Sequence, residues 1–415
     1  MKNQRIVITG LGAITAIGDT LDETWNSLML KKSGINQIQA FDTTGFPCKI
    51  AAEIKNFDIN RIADLKQRKR LDRSAMFALS AAAEAIEASG ILNSISNSAR
   101  VGVFWASGNG GITTADAGSI EFGKTGKLNS FGPFFQSNVL IDSAASRISQ
   151  KFGFKGPNLT IVSACSSGNS ALITAQAYIQ TGLCDVAIVG GSEAAISQSV
   201  VAGFSVMKAL STKNGDPENA CAPFSASRNG FVIGEGAAAM ILEKESDALE
   251  RGALIKSYFK GGFTSNDAGH ITSPDTSGAG AAYCIREALR DAEIQSHEVD
   301  AIYSHGTSTL LGDLSEYKSY VGVFKDSLRY IPVVASKSMT GHLLGASAAL
   351  ESVLSIEMLS RQVIIPHRFA GRMDDSMQNP PLFLPEVGVE IKLRNVLNHA
   401  SGFGGQHAST VFSID

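Results

Sequence analysis

Cysteine is scarce and unpatterned in this sequence. Its 415 residues hold five, at positions 48, 165, 184, 221 and 284, an odd number with no CxxC spacing. That argues against a disulfide framework and against a zinc site, and it fits a reducing compartment. An excess of charge of one sign is missing too. With 36 basic and 39 acidic residues the net charge is −3, so no nucleic-acid or other general polyanion partner is expected. No apolar run approaches the ~18 residues needed to cross a bilayer, so no membrane partner is expected. The opening MKNQRIVITGLG turns at once into a strand-like run and does not read as a signal peptide. No low-complexity linker or long charge run divides the chain. A cytoplasmic globular protein is the expectation, of a length that allows two domains or one domain of two halves.

What is present is rhythm. Strand-like runs fall at RIVITG (5–10), RVGVFWA (100–106), LTIVSA (159–164), DVAIVGG (185–191), AAAMILE (237–243), DAIYSH (300–305) and PVVASK (332–337). Amphipathic stretches such as RSAMFALSAAAEAIEASG (73–90) and GAGAAYCIREALRDAEI (278–294) lie between them. Strand then helix, repeated, predicts an α/β fold with largely buried sheets. One internal echo stands out. LTIVSACSSGNSALITAQAYIQTG (159–182) resembles PVVASKSMTGHLLGASAALESVLSIEMLSRQ (332–362). Each reads β-branched strand, Ser with one special residue, Gly, then a small-residue helix. The echo predicts two related halves.

Cys165 sits in that turn. A thiol at a helix N-terminus meets the positive end of the helix dipole, which favours thiolate. Free N–H groups there can hold an oxyanion. Burial as a structural cysteine is the ordinary alternative. Two histidines weigh against it. His305 opens HGTSTLLGD (305–313) at the end of a strand, and His342 follows Lys337 in SKSMTGH (336–342). Strand ends of this kind meet at a cleft beyond the carboxyl edge of a sheet.

Together SACSSG, HGTST…GD, SKSMTGH…GA…E and GFGG resemble the β-ketoacyl-acyl-carrier-protein synthases, the condensing enzymes of fatty-acid and polyketide assembly. The likeness runs from RIVITGLGAITAIG (5–18) to SGFGGQHAS (401–409). It implies the thiolase fold: two pseudo-repeated βαβαβαββ halves in a five-layer α-β-α-β-α arrangement, normally dimeric. The halves are expected at 1–250, with the nucleophilic cysteine, and 251–415, with the two histidines. The resemblance implies that Cys165 takes the acyl chain from a phosphopantetheinylated acyl carrier protein. His305 and His342 would polarise the malonyl thioester and stabilise its enolate. Lys337 would orient His342, with Glu351 completing the polar network. Backbone N–H groups of Cys165 and Phe403 would form the oxyanion hole, and Phe403, flanked by Gly402, Gly404 and Gly405, would gate it. Thr307 and Thr309 would bind the pantetheine arm, with Gly404 also at the substrate. No cofactor and no metal is implied.

Several positions depart from the fatty-acid pattern. Ser401 stands where Phe is common, His407 where Asn is common, Leu310 where Pro is frequent and Ser225 where Asp is frequent. The SGFGG form is similar to catalytic ketosynthase subunits of type II polyketide systems. Asn109, in ASGNGG (106–111), takes a position usually apolar near the acyl pocket, where a polar side chain suits a chain that keeps its ketones. HGTST with GD is typical of fatty-acid elongation. The two readings differ in partner: a homodimer for fatty-acid elongation, a homologous chain-length factor in a heterodimer for polyketide synthesis. Within KQRKRLDR (66–73), Lys66, Arg68, Lys69 and Arg70 are candidates for docking an acidic carrier protein. A solvated basic helix face explains the same run equally well. A thiolase would carry a second catalytic cysteine near its C-terminus, and residues 398–415 hold none.

Overall fold

The computed structural model describes residues 4–55, 57, 58, 62, 68, 70–369 and 371–414. In chain order the first half runs β1 (Ile6–Thr15), α1 (Arg73–Ser89), β2 (Val101–Ala106), α2 (Ser143–Phe152), β3 (Asn158–Ile161), α3 (Ser167–Gln180), β4 (Val186–Glu193) and β5 (Gly236–Lys244). The second runs β6 (Ser257–Asn266), α4 (Ala279–Asp291), β7 (Ala301–Tyr303), α5 (Leu310–Phe324), β8 (Val333–Val334), α6 (Ser347–Arg361), β9 (Asn395–Gly402) and β10 (Gln406–Ser413). Each half is therefore βαβαβαββ, with further elements inserted, the longest being the 14-residue helix Ile112–Thr125.

The sheet repeats the duplication. Its order is β8-β7-β9-β10-β6-β1-β5-β4-β2-β3, so adding five to each strand of one half gives the other in mirror sequence about the β1–β6 seam. The seam is narrow: only Ile6, Val7 and Ile8 of β1 pair with β6, opposite Phe259, Tyr258 and Ser257. The three strands of each half farthest from the seam run parallel to one another, and the two nearest the seam pair antiparallel. Helices α3 and α6 touch each other and strands of both halves, while α1 and α2 cover one outer face and α4 and α5 the other. Those contacts make five layers, α-β-α-β-α.

Local sequence explains the layers. β1, β2 and β4 are buried at every position, as strands covered on both faces must be. Central α6 is buried from Ser347 to Leu359, so its small residues, Ser347, Ala348, Ala349, Ser352 and Ser355, let neighbouring backbones approach. Outer α1 starts where the Asp72 carboxylate accepts the Ser74 N–H at 2.8 Å and stops at Gly90, φ +63°. Three expected strands are shorter than the sequence suggests, among them DAIYSH (300–305), which is strand only over Ala301–Tyr303. β3 ends at Ile161 and β8 at Val334 because the chain must then turn to present Cys165 and Lys337.

Candidate active site

The two duplicated turns meet at the middle of the molecule. After β3 the chain passes through Ala164 at φ +50°, a left-handed conformation that L residues adopt at a cost and that clusters at functional sites. It aims Cys165 into a cleft of about 520 Å³ while Ser167 begins α3. The same cleft is lined by His305, His342, Thr307, Thr309, Phe403 and Gly404. Seven of the expected site positions are thus brought to one cavity.

His342 lies closest to the thiol, Nε2 to Sγ 3.2 Å. Its Nδ1 is 2.8 Å from the Ser347 hydroxyl at the start of α6. With that hydroxyl donating to Nδ1, Nε2 carries the ring hydrogen and faces the sulfur. The first half braces this histidine from behind. Its N–H donates to the Val232 carbonyl at 2.7 Å, Gly234 N–H returns a bond to its carbonyl at 2.9 Å, and the Phe231 ring meets the imidazole edge-on at 5.2 Å. The His305 ring stands 5.5 Å away, nearly perpendicular. The Phe403 backbone N–H points to the Cys165 sulfur. Close approach there requires glycine at 402, because a Cβ would fall 2.8 Å from the Cys165 nitrogen. Its φ of −144° is ordinary, so the demand is steric.

Lys337 and Glu351 are buried just beneath, 1% and 2% exposed at the side chain, and form an ion pair. Lys337 Nζ also donates to the His305 carbonyl oxygen. The resemblance implies that Lys337 orients His342; its hydrogen-bond partner besides Glu351 is the backbone of His305. The electrostatics follow from burial. Desolvation holds His305 and His342 well below the ordinary imidazole range, and the Lys337 charge pushes the same way. Both rings are neutral. Burial also pushes the Cys165 thiol up to about 12, against the downward pull of Lys337. Burial therefore opposes the pull that the helix end and Lys337 exert towards a thiolate at Cys165.

Two carboxylates that sequence reasoning passed over shape the histidine loop. Glu316 accepts the N–H groups of His305 and Gly306 at 2.6 and 2.8 Å, and Asp313 those of Thr307 and Ser308 at 3.1 and 3.0 Å. The signal was available: Asp313 closes HGTSTLLGD, and Glu316 lies one helical turn on. A third, Glu193, binds the N–H groups of Gly108, Asn109 and Gly345 at 2.7, 3.0 and 3.0 Å.

Three expectations are not joined to this cleft. Asn109 is held on Glu193 and is not among the cleft's lining residues, so it does not present its amide there. Arg68 and Arg70 do not line the cleft either, and the Arg70 guanidinium lies over the Phe134 ring at 4.9 Å. Lys66 and Lys69 fall outside the described residues. Among the described residues no cluster of three metal-ligating side chains occurs, and no helix is long and apolar enough to cross a membrane.

A half-exposed thiol, two neutral imidazoles and a backbone N–H converging in one cleft of a duplicated α/β fold define a thiol-dependent acyl-transfer site. Comparison with known proteins agrees. Residues 3–248 match the family described as "Beta-ketoacyl synthase, N-terminal domain" and residues 257–369 the "Beta-ketoacyl synthase, C-terminal domain". The chain is 36% identical over 413 residues to 3-oxoacyl-[acyl-carrier-protein] synthase 2 of Coxiella burnetii, covering 100% of this chain and 99% of that one. It is 36% identical over 411 residues to the protein of the same name from Staphylococcus aureus strain COL, at 99% and 98% coverage. Among solved structures, a β-ketoacyl synthase from Burkholderia phymatum STM815 superposes with TM-score 0.92 at 29% identity, over 99% of this chain and 100% of that one. A ketosynthase described in complex with its type II polyketide acyl-carrier protein and bound to the hexaketide gives TM-score 0.89 at 29% identity, over 99% and 100%. The chain belongs to the β-ketoacyl synthase family, and it is a condensing acyltransferase of the thiolase fold.

Proposed function

We propose that the protein elongates a poly-β-keto chain in a type II polyketide system, by decarboxylative condensation on Cys165. The observation that carries the chemistry is the 3.2 Å contact of His342 Nε2 with Cys165 Sγ, with His305 beside it. In the first step Sγ attacks the carbonyl carbon of an acyl-carrier thioester. The carrier thiol leaves with the proton that Cys165 gives up, and His342 Nε2–H and Phe403 N–H hold the sulfur's transient negative charge. In the second step a malonyl thioester places its carbonyl oxygen between His305 and His342. Carbon dioxide leaves, the imidazole N–H groups hold the enolate, and its carbon attacks the acyl-Cys165 carbonyl. The tetrahedral oxygen sits on the N–H groups of Cys165 and Phe403, the C–S bond breaks, and the departing thiolate takes up one proton from water to restore the thiol. Thr307 and Thr309 bind the pantetheine arm, and Lys337 with Glu351 fixes the His305 backbone. The nucleophile-bearing half is assigned to 1–250 and the histidine-bearing half to 251–415.

Polyketide is favoured by the cleft wall, where Ser401 and His407 replace apolar or amide groups. A partner subunit is supported by edge strand β3, which leaves Leu159 and adjoining Val162 exposed. An unpaired edge with apolar side chains suits a second, homologous subunit, here a chain-length factor. A carrier protein with an acidic surface completes the set, and the site of action is cytoplasmic. Fatty-acid elongation by a homodimer is the second reading, favoured by the 36% identity to 3-oxoacyl-[acyl-carrier-protein] synthase 2 enzymes. Intact-mass spectrometry after co-expression with the neighbouring genes separates them. An oxygen-rich adduct on Cys165 with a copurifying homologous subunit is expected; a saturated acyl adduct on a homodimer overturns the polyketide reading.

A further inference from the structure

The residues that depart from the fatty-acid pattern form an arrangement of their own. Ser401 Oγ is 2.9 Å from His407 Nδ1, and His407 Nε2 is 2.9 Å from Asp267 Oδ1. All three line the cleft that holds Cys165. The carboxylate fixes the polarity. Asp267 accepts Nε2–H, so Nδ1 is left as an acceptor for the Ser401 hydroxyl. That is the wiring of a hydroxyl nucleophile, a base and an orienting carboxylate, recognised by geometry and not by sequence order. His407 and Asp267 are well shielded, 4% and 6% exposed at the side chain, while Ser401 keeps a face open to the cleft. Ser401 shares the cleft with the thiol, and its neighbour Gly402 abuts the Cys165 backbone. The Phe403 N–H, two residues on, is a ready oxyanion donor. A second histidine, His399, touches Ser401 from behind, Nε2 to Oγ 3.1 Å, and its Nδ1 is held by Ser409 at 2.8 Å.

We propose that Ser401, His407 and Asp267 form a second catalytic centre in this cleft, which hydrolyses acyl thioesters that stall there. Ser401 Oγ attacks the thioester carbonyl carbon and its proton passes to His407 Nδ1. The C–S bond breaks, and the thiol leaves with that proton. Water, with His407 again as base, attacks the Ser401 ester. The carboxylic acid departs and the hydroxyl is restored. The centre releases chains from the carrier without using Cys165, so it edits what the condensing site has loaded or failed to load.

The proposal rests on the condensing-enzyme reading only for its substrate class, and a Cys165→Ala protein separates the two. It is tested with an acyl-pantetheine thioester, following free thiol release. Hydrolysis is expected to persist in Cys165→Ala while condensation is absent. Adding Ser401→Ala is expected to reduce hydrolysis at least tenfold, and adding His407→Asn to reduce it comparably. Rapid quench of Cys165→Ala is expected to show an acyl ester on Ser401 by peptide mass. Equal hydrolysis with and without Ser401, or an ester nowhere on residues 395–407 while turnover continues, overturns the proposal. Loss of hydrolysis in Cys165→Ala alone, with that protein folded by thermal melt, also overturns it.

Discussion

The two turns that close β3 and β8 descend from one plan and have been put to different uses. In the first half the residue after Ser-Ala is Cys165, half-exposed on the cleft floor, with α3 starting two residues later. In the second half the residue after Ala-Ser is Lys337, buried against Glu351, and α6 does not start until Ser347. The intervening residues 338–346 make a short helix, turn at Gly341 with φ +68°, and carry His342 back across the interface to the first half's sulfur. In the proposed reaction one copy supplies the reacting atom and the other the electrostatics, delivered along the longer path.

That division can be broken at its most exposed point first. Cys165→Ala is expected to eliminate condensation and the acyl thioester at position 165, read by product analysis and peptide mass. A variant that still condenses would move the nucleophile elsewhere. The histidines sharpen the comparison, because only His342 touches the sulfur. His342→Ala is expected to lower both acylation of Cys165 and malonyl decarboxylation, each by about 10²- to 10⁴-fold. His305→Ala is expected to lower decarboxylation by a similar factor and leave acylation within a few-fold. Single-turnover assays of the two steps distinguish this from a shared role.

The lysine turn is tested by stability. Lys337→Met leaves the Glu351 carboxylate buried without its cation, and losing one partner of a buried pair costs about 3–5 kcal/mol. Denaturant unfolding should show that loss. The double variant Lys337→Met/Glu351→Leu should recover most of it, while remaining impaired in condensation because the His305 carbonyl has lost its donor.

Much of this was legible before any coordinates. The echo between 159–182 and 332–362 carried the duplication, since strand period, turn and small-residue helix all repeat. Cys165, His305 and His342 announced themselves by lying at strand ends. What the sequence hid were relations set by packing. Nothing in SKSMTGH says that Lys337 reaches the His305 backbone and not His342, because the two lie on different strands' ends and meet only when β7 and β8 pair. Glu316 and Glu193 were hidden for a related reason: a carboxylate on a helix or strand reads as a surface charge until its backbone N–H partners, distant in sequence or in another loop, are known. Only half of the thiol's electrostatics was legible, because helix-end attraction is local and visible, whereas desolvation depends on everything around it.

Those two carboxylates give the finest test of the comparison, since each caps the loop after an equivalent strand, β2 or β7. Burial pushes both up to about 7. An acid whose pKa is higher folded than unfolded binds more protons in the folded state, so its contribution to stability falls as pH rises from about 4.5 to about 7. A rise of that size corresponds to on the order of 3 kcal/mol per group as an upper bound. Glu193→Gln and Glu316→Gln should therefore each gain stability relative to the parent between pH 4.5 and 8, read as a flatter unfolding free energy against pH. Their other consequences should diverge. Glu193 joins Gly108 and Asn109 of the first half to Gly345 of the second, so its loss should loosen the union of halves, seen as faster amide exchange at the 107–110 and 344–346 loops. Glu316 binds only its own half, at His305, Gly306 and the Tyr320 hydroxyl, so its loss should lower the decarboxylation rate and leave the seam unchanged. If both variants slowed chemistry equally, the two loops would be working as one unit, and the separation of nucleophile and electrostatics between halves would have to be abandoned.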